Sequence, residues 1–159
     1  MITLNKIVYP TDFSTAAEVA FDTAQRLARD SQALLLIVHI VDPATIPTAG
    51  VAAIPGAMGG VAVSEDQRNA MEQAGKELEK VVPGDPNIRF EHRLIEGAPG
   101  DQIPDLAEAE QADLIVMGTH GRSGLQRLLM GSVAETVVRR APCPVLTLRQ
   151  SASTFQDSD

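Results

Sequence analysis

Apolar positions along the chain recur at two spacings, one suited to strands and one to helices. Ile2 to Tyr9 reads as a first strand that Pro10 ends. Ala17, Phe21, Ala24 and Ala28 then repeat at helical spacing. Thr15-Ala-Ala-Glu18 has capping-box spacing, and Ser14 would serve equally as the cap. Ala33 to Val41 is an almost continuous apolar run, as expected of a strand buried on both faces of a parallel sheet. Ser64-Glu-Asp-Gln67 starts a second helix whose apolar face is Ala70, Met71, Ala74, Leu78 and Val81, with Pro83 to Pro86 breaking it. Ile88 to Ile95 is strand-like. A third helix is expected from near Asp101, with Pro104 tolerated as a first-turn residue. Leu114 to Met117 is a short apolar strand ending at Gly118, Ser132 opens a fourth helix running to Arg139 or Arg140, and Val145 to Leu148 is a last strand.

Strand and helix thus alternate through five strands. The pattern predicts an α/β domain, a mostly parallel five-stranded sheet covered by helices on both faces. Residues 43–63 stand apart: Pro43, Pro47 and Pro55 with Gly50, Gly56, Gly59 and Gly60 punctuate a stretch of Ala, Val, Ile and Met. A loop this long in a compact domain is functional or disordered. Its apolar content favours a mobile lid or an interface segment over a solvated connector. The domain is expected to span residues 1–149, with 150–159 a polar, disordered tail.

Composition narrows the function classes. The chain has 159 residues, 44% of them apolar, with no Trp, one Tyr and four Phe, so aliphatic and alanine side chains must build the core. A net charge of −8 and no basic run argue against a nucleic-acid partner. The N-terminus lacks the pattern of a signal peptide, and no apolar run approaches the roughly 20 residues of a membrane helix. A single cysteine, Cys143, fits a reducing compartment, and the expected location is the cytoplasm.

Chemistry concentrates in Gly118-Thr-His-Gly121-Arg-Ser-Gly124-Leu-Gln-Arg127-Leu-Leu-Met-Gly131-Ser132, between a buried strand and a helix start. Ligands of open α/β sheets bind at the carboxyl ends of strands. The N–H groups of a helix start point at such a ligand and favour an anion. Ser132 and Val133 would offer backbone donors, the Ser132 hydroxyl another, and Arg122 and Arg127 charge for phosphate oxygens. Glycine would let the loop curl and approach closely. The segment is neither G-x-x-x-x-G-K-[ST] nor G-x-G-x-x-G. It reads as a phosphate-binding loop of another kind.

The pattern G-x2-G-x9-G-[ST], matched by Gly118, Gly121, Gly131 and Ser132, resembles the ATP-binding signature of one branch of the universal stress proteins. Ile7-Val8-Tyr9-Pro10-Thr11-Asp12-Phe13-Ser14, Asp113-Leu-Ile-Val-Met-Gly-Thr-His-Gly-Arg and Ala141-Pro-Cys-Pro-Val are similarly typical, so the resemblance runs over nearly the whole chain. It implies an open sheet of strand order 3-2-1-4-5, adenine-nucleotide α-hydrolase-like, with the nucleotide across strands 1 and 4. Pro10, Thr11 and Asp12 would border the adenosine, Asp12 as a ribose or adenine partner, and Val41 would meet the adenine edge through its backbone. Gly118, Gly121, Gly131, Ser132 and Val133 would hold ribose and phosphates, and Met117 and Gly124 complete the expected site. Mg2+ or Mn2+ can accompany the triphosphate in family members, though no metal-binding set is visible in the sequence. The last strand would lie at the sheet edge, and an exposed edge invites pairing. Homodimerisation through strand 5 (Val145, Leu146, Thr147, Leu148) is also the family habit.

Several of these residues have plainer roles available. Asp12 could cap the first helix. His39, inside the apolar run, reads as a packed, satisfied histidine, and His120 as a surface or hydrogen-bonding residue. Cys143 reads as structural, and Arg139 and Arg140 as complements to a helix C-terminus. The leading functional reading is a regulatory nucleotide binder. The alternatives are a slow ATPase or nucleotidyl-handling enzyme and a nucleotide-free dimeric interaction protein. Pro10-Thr-Asp-Phe-Ser14 after strand 1 argues against the HIGH-type and SGGxDS-type motifs of related transferases.

Overall fold

A computed structural model describes residues 3–47, 64–119 and 130–150. The strands are β1 (Lys6–Pro10), β2 (Leu34–Val41), β3 (Phe90–Glu96), β4 (Leu114–Gly118) and β5 (Val145–Leu148), and the helices α1 (Thr15–Ser31), α2 (Glu65–Glu79), α3 (Pro99–Ala109) and α4 (Ser132–Arg140). All pairings are parallel, and the order is β3-β2-β1-β4-β5. The expected architecture and strand order are both present.

Side-chain alternation along the strands divides the core into two layers. Ile7, Tyr9, Leu35, Ile37 and Val116 pack with Ala20, Ala24 and Ala28 of α1 and Leu78 of α2. Val8, Leu36, Val38, Ile115 and Met117 face the other way, onto Ile103 and Ala107 of α3 and Ala134 and Val137 of α4. The alanine stripe lets α1 lie close to the sheet. At Gly118 the approach is close: a Cβ there would stand 2.9 Å from the Ala16 carbonyl oxygen.

Local signals set most boundaries. Ser14, rather than Thr15, caps α1, its hydroxyl accepting from the Ala17 N–H. Ser64 and Gln67 form a reciprocal capping box on α2. The expected α2 face is there, half-buried except for the fully buried Leu78, because this helix covers the outer β2–β3 end of the sheet. The helix stops at Glu79, ahead of the Pro83 to Pro86 breaker.

Other boundaries differ from expectation. β1 begins at Lys6, where pairing with Leu34 starts, and it includes Pro10. β3 begins at Phe90, opposite Leu35. α3 begins at Pro99, two residues before Asp101, since proline at the first helical position forfeits no bond. Pro104 is therefore an interior helix residue, buried, and not a first-turn one. Within the segment expected to be irregular, Pro43–Thr45 forms a short 3-10 turn capped by Asp42. The candidate lid residues 48–63 and the tail from 151 onward lie outside the described residues.

Candidate functional site

The strand order reverses between β1 and β4, and the backbone shows how a crevice opens there. Thr11 N–H donates to the Val38 carbonyl at 2.8 Å, so Thr11 turns its polar groups toward β2. Strand alternation then points the nitrogen of Pro10 toward β4, where proline has nothing to donate. β4 pairs with β1 only through Ile7 and Val8. The two strands part at Pro10, and a cleft of about 360 Å³ occupies the gap, within the roughly 300–1,000 Å³ of ligand pockets.

Two walls of this cleft matter. One is the β1–α1 turn: Pro10, Thr11 and Asp12 line it, with His39 and Ile40 of β2 alongside. Thr11 is buried; its hydroxyl accepts from Phe13 N–H at 3.0 Å, and Asp12 Oδ1 accepts from Ser14 N–H at 3.0 Å. Below the turn, Tyr9 is fully buried and donates its hydroxyl to the Ala17 carbonyl at 2.7 Å. Burial pushes its pKa up to about 12, with the Asp12 charge adding to the rise and the Thr11 hydroxyl opposing it.

The other wall is the end of β4 and the start of α4: Met117, Gly118 and Thr119 face Gly131, Ser132, Val133 and Ala134. Gly131 is the N-cap of α4, and among the described residues no side chain caps the helix. The first N–H groups of α4 have no intrahelical acceptor and carry partial positive charge. Gly131 N–H donates to the Thr119 carbonyl at 2.7 Å, which ties together the two ends of segment 120–130.

Of the expected site residues, Pro10, Thr11, Asp12, Met117, Gly118, Gly131, Ser132 and Val133 converge on one cleft. Val41 does not line it; the residue is buried at the end of β2 and its carbonyl accepts from Gly97 N–H at 3.0 Å. Gly121, Arg122, Gly124 and Arg127, with His120, lie outside the described residues. His39, Thr119 and Pro99 line the cleft without having been singled out as site residues. His39 left a signal, as the one polar side chain in the run Leu34–Val41. Cys143 is half-buried against the α3–α4 layer, and burial, with the Asp113 charge, pushes its thiol up, away from reactive thiolate character. Among the described residues no three His, Cys, Asp or Glu side chains converge as a metal site, and no helix is long and apolar enough to cross a membrane.

A doubly wound parallel sheet of this strand order, with a ligand-sized crevice at its switch point, is the Rossmann-like fold of the adenine-nucleotide α-hydrolase-like class. The chain belongs to the universal stress protein family, whose family model matches residues 3–149. A universal stress protein of Methanocaldococcus jannaschii, MJ0531, is 35% identical over 145 residues, covering 91% of this chain and 82% of the relative. The solved structure of MJ0577 from the same organism superposes with a TM-score of 0.78 at 26% identity, covering 96% of this chain and all of that one. A universal stress protein solved in complex with cAMP has a TM-score of 0.59 at 27% identity, covering 94% of this chain and 99% of that one.

Proposed function

We propose that the protein binds ATP in the β1–β4 cleft and works as a regulatory module whose nucleotide state biases its dimer and the segment 43–63. The observation that carries this reading is that the N-terminus of α4 and the acidic β1–α1 turn line opposite sides of one cleft. In the proposed pose Pro10, Thr11 and Asp12 border the adenosine. The base would extend past the lined cleft to Val41, the residue after the lining Ile40, and meet the second lone pair of its carbonyl. Met117 and Gly118 floor the cleft, while Gly131, Ser132 and Val133 hold phosphate oxygens. Gly121, Arg122, Gly124 and Arg127, outside the described residues, are included in the proposed phosphate site on the strength of the sequence pattern. The related cAMP complex supports the adenine part of the reading.

The described lining supplies one carboxylate, Asp12, and hydroxyls rather than a protein-built metal cage. Any Mg2+ or Mn2+ would thus be held chiefly by phosphate oxygens and water. Binding with slow or no hydrolysis is the favoured form of the reading. The test is to denature the purified protein, identify any released nucleotide, and titrate stripped protein with ATP, ADP, AMP and cAMP. Release of an adenine nucleotide and tightest binding of ATP support it; binding of none of the four refutes it.

A homodimer through β5 accompanies the proposal. β5 (Val145, Leu146, Thr147, Leu148) is an edge strand, and Leu146 on it and Val138 on the preceding α4 are exposed apolar side chains. Leu146→Glu should convert a dimer to a monomer in light scattering. A monomeric parent protein would contradict the assignment.

A further inference from the structure

We propose that His39 is the positioning residue of the cleft, holding the β1–α1 turn in the conformation that aims Asp12 at the ligand. The affinity part of this inference rests on the nucleotide reading above; the structural part does not.

The Nδ1 of His39 lies 2.7 Å from the Thr11 carbonyl oxygen. A carbonyl can only accept, so Nδ1 carries the proton and donates. The same imidazole lies against the Phe13 ring, centroids 4.4 Å apart and planes 33° from parallel. His39 thus touches both neighbours of Asp12 in sequence. Phe13 needs such support. Its φ of 63° is in the left-handed region, which non-glycine residues keep only when their surroundings hold them there. Two local bonds shape the turn, Phe13 N–H to Thr11 Oγ1 and Ser14 N–H to Asp12 Oδ1. They set its curl without fixing it to the sheet. The sheet takes hold at Thr11 N–H through Val38, and one residue further along β2 through His39.

The strand pattern makes the imidazole conspicuous. His39 occupies the row of Leu35 and Ile37, where the alternation calls for another aliphatic side chain. An aliphatic residue there would fill the space and supply no donor for the Thr11 carbonyl. His39 and Asp12 also line the same cleft. A shift of the turn is therefore felt directly by the ligand.

Three variants separate this role from general stability. His39→Phe keeps the ring and removes the donor; His39→Asn places an amide N–H near the position of Nδ1–H; Asp12→Asn removes the charge that His39 is said to aim. His39→Phe should weaken ATP binding by about tenfold, the scale of one lost hydrogen bond, and His39→Asn should recover most of that. In an Asp12→Asn background the same His39→Phe change should cost less than about twofold, because coupled residues are not additive. Nitrogen NMR of the wild-type imidazole, without nucleotide, should show the proton on Nδ1. The amide resonances of Asp12 and Phe13 should move in His39→Phe. A proton on Nε2, unmoved Asp12 and Phe13 amides, or a His39→Phe loss of equal size with and without the Asp12 change would overturn the proposal. Wild-type protein that binds no ATP would sink the nucleotide reading, and the NMR measurements would still decide the His39 contact.

Discussion

Gly118 and Ala16 meet backbone to backbone: a Cβ added at Gly118 would stand 2.9 Å from the Ala16 carbonyl oxygen and 3.0 Å from its carbonyl carbon. The first glycine of the G-x2-G-x9-G-[ST] pattern is therefore a packing residue. It lets the first turn of α1, which includes the cleft residue Ala17, sit directly on the end of β4.

Gly118→Ala is accordingly predicted to destabilise the fold by about 1–3 kcal/mol, the usual cost of overpacking a site that cannot collapse around the extra methyl. Urea unfolding should show a lower midpoint with an unchanged slope. An unchanged midpoint would mean that α1 shifts away without cost.

Tyr9 gives a prediction that ordinary absorbance can read, since it is the only tyrosine and there is no Trp. Its pKa is raised from 10.0 to about 12, mainly by burial. The folded pKa exceeds the unfolded one, so this group's stabilising contribution is complete below pH 10. It is lost as pH rises from 10 through about 12, up to about 3 kcal/mol in all. The near-ultraviolet titration of the folded protein should have its midpoint well above that of the denatured chain. Tyr9→Phe should flatten the alkaline fall in stability. It should also cost about 1–2 kcal/mol at neutral pH through the Ala17 carbonyl left without its partner. A folded-state midpoint near 10 would contradict the buried geometry.

Asp113 ties the base of the sheet together. One carboxylate oxygen, Oδ2, accepts from the Asn5 N–H at 2.7 Å and from the Lys6 N–H at 3.0 Å, while Asp113 N–H donates to the Lys6 carbonyl at 2.9 Å. Asp113→Ala should destabilise by about 1–2 kcal/mol and speed amide exchange at Lys6, with Asp113→Asn intermediate. Equal exchange at Lys6 in all three proteins would remove Asp113 from this role.

The sheet was largely legible in the sequence because parallel strands buried on both faces leave long apolar runs, as Leu34–Val41 does. The capping box at Ser64 was equally plain, since its chemistry is local. Long-range facts were not legible. β1 begins at Lys6 because β2 begins opposite it, and nothing in residues 2–5 announces that. Pro104 looks like a first-turn residue in the sequence because nothing local marks Pro99 as the helix start. Of the residues lining the cleft, Pro10, Asp12 and Ser132 stand at strand and helix ends that motifs mark in the sequence. His39 looks like a core residue from its apolar neighbours; that it reaches the Thr11 carbonyl is a fact of the β1–β2 register.

The central claim is that the β1–β4 cleft holds ATP with Asp12 on one wall and the α4 start on the other. Calorimetric titration of nucleotide-stripped wild-type and Asp12→Asn protein with ATP tests it most directly. The expected result is one site per chain with a micromolar or tighter Kd, about −8 kcal/mol or better, and weaker binding in the variant. No heat of binding in the wild type, or equal affinity in both proteins, would contradict it.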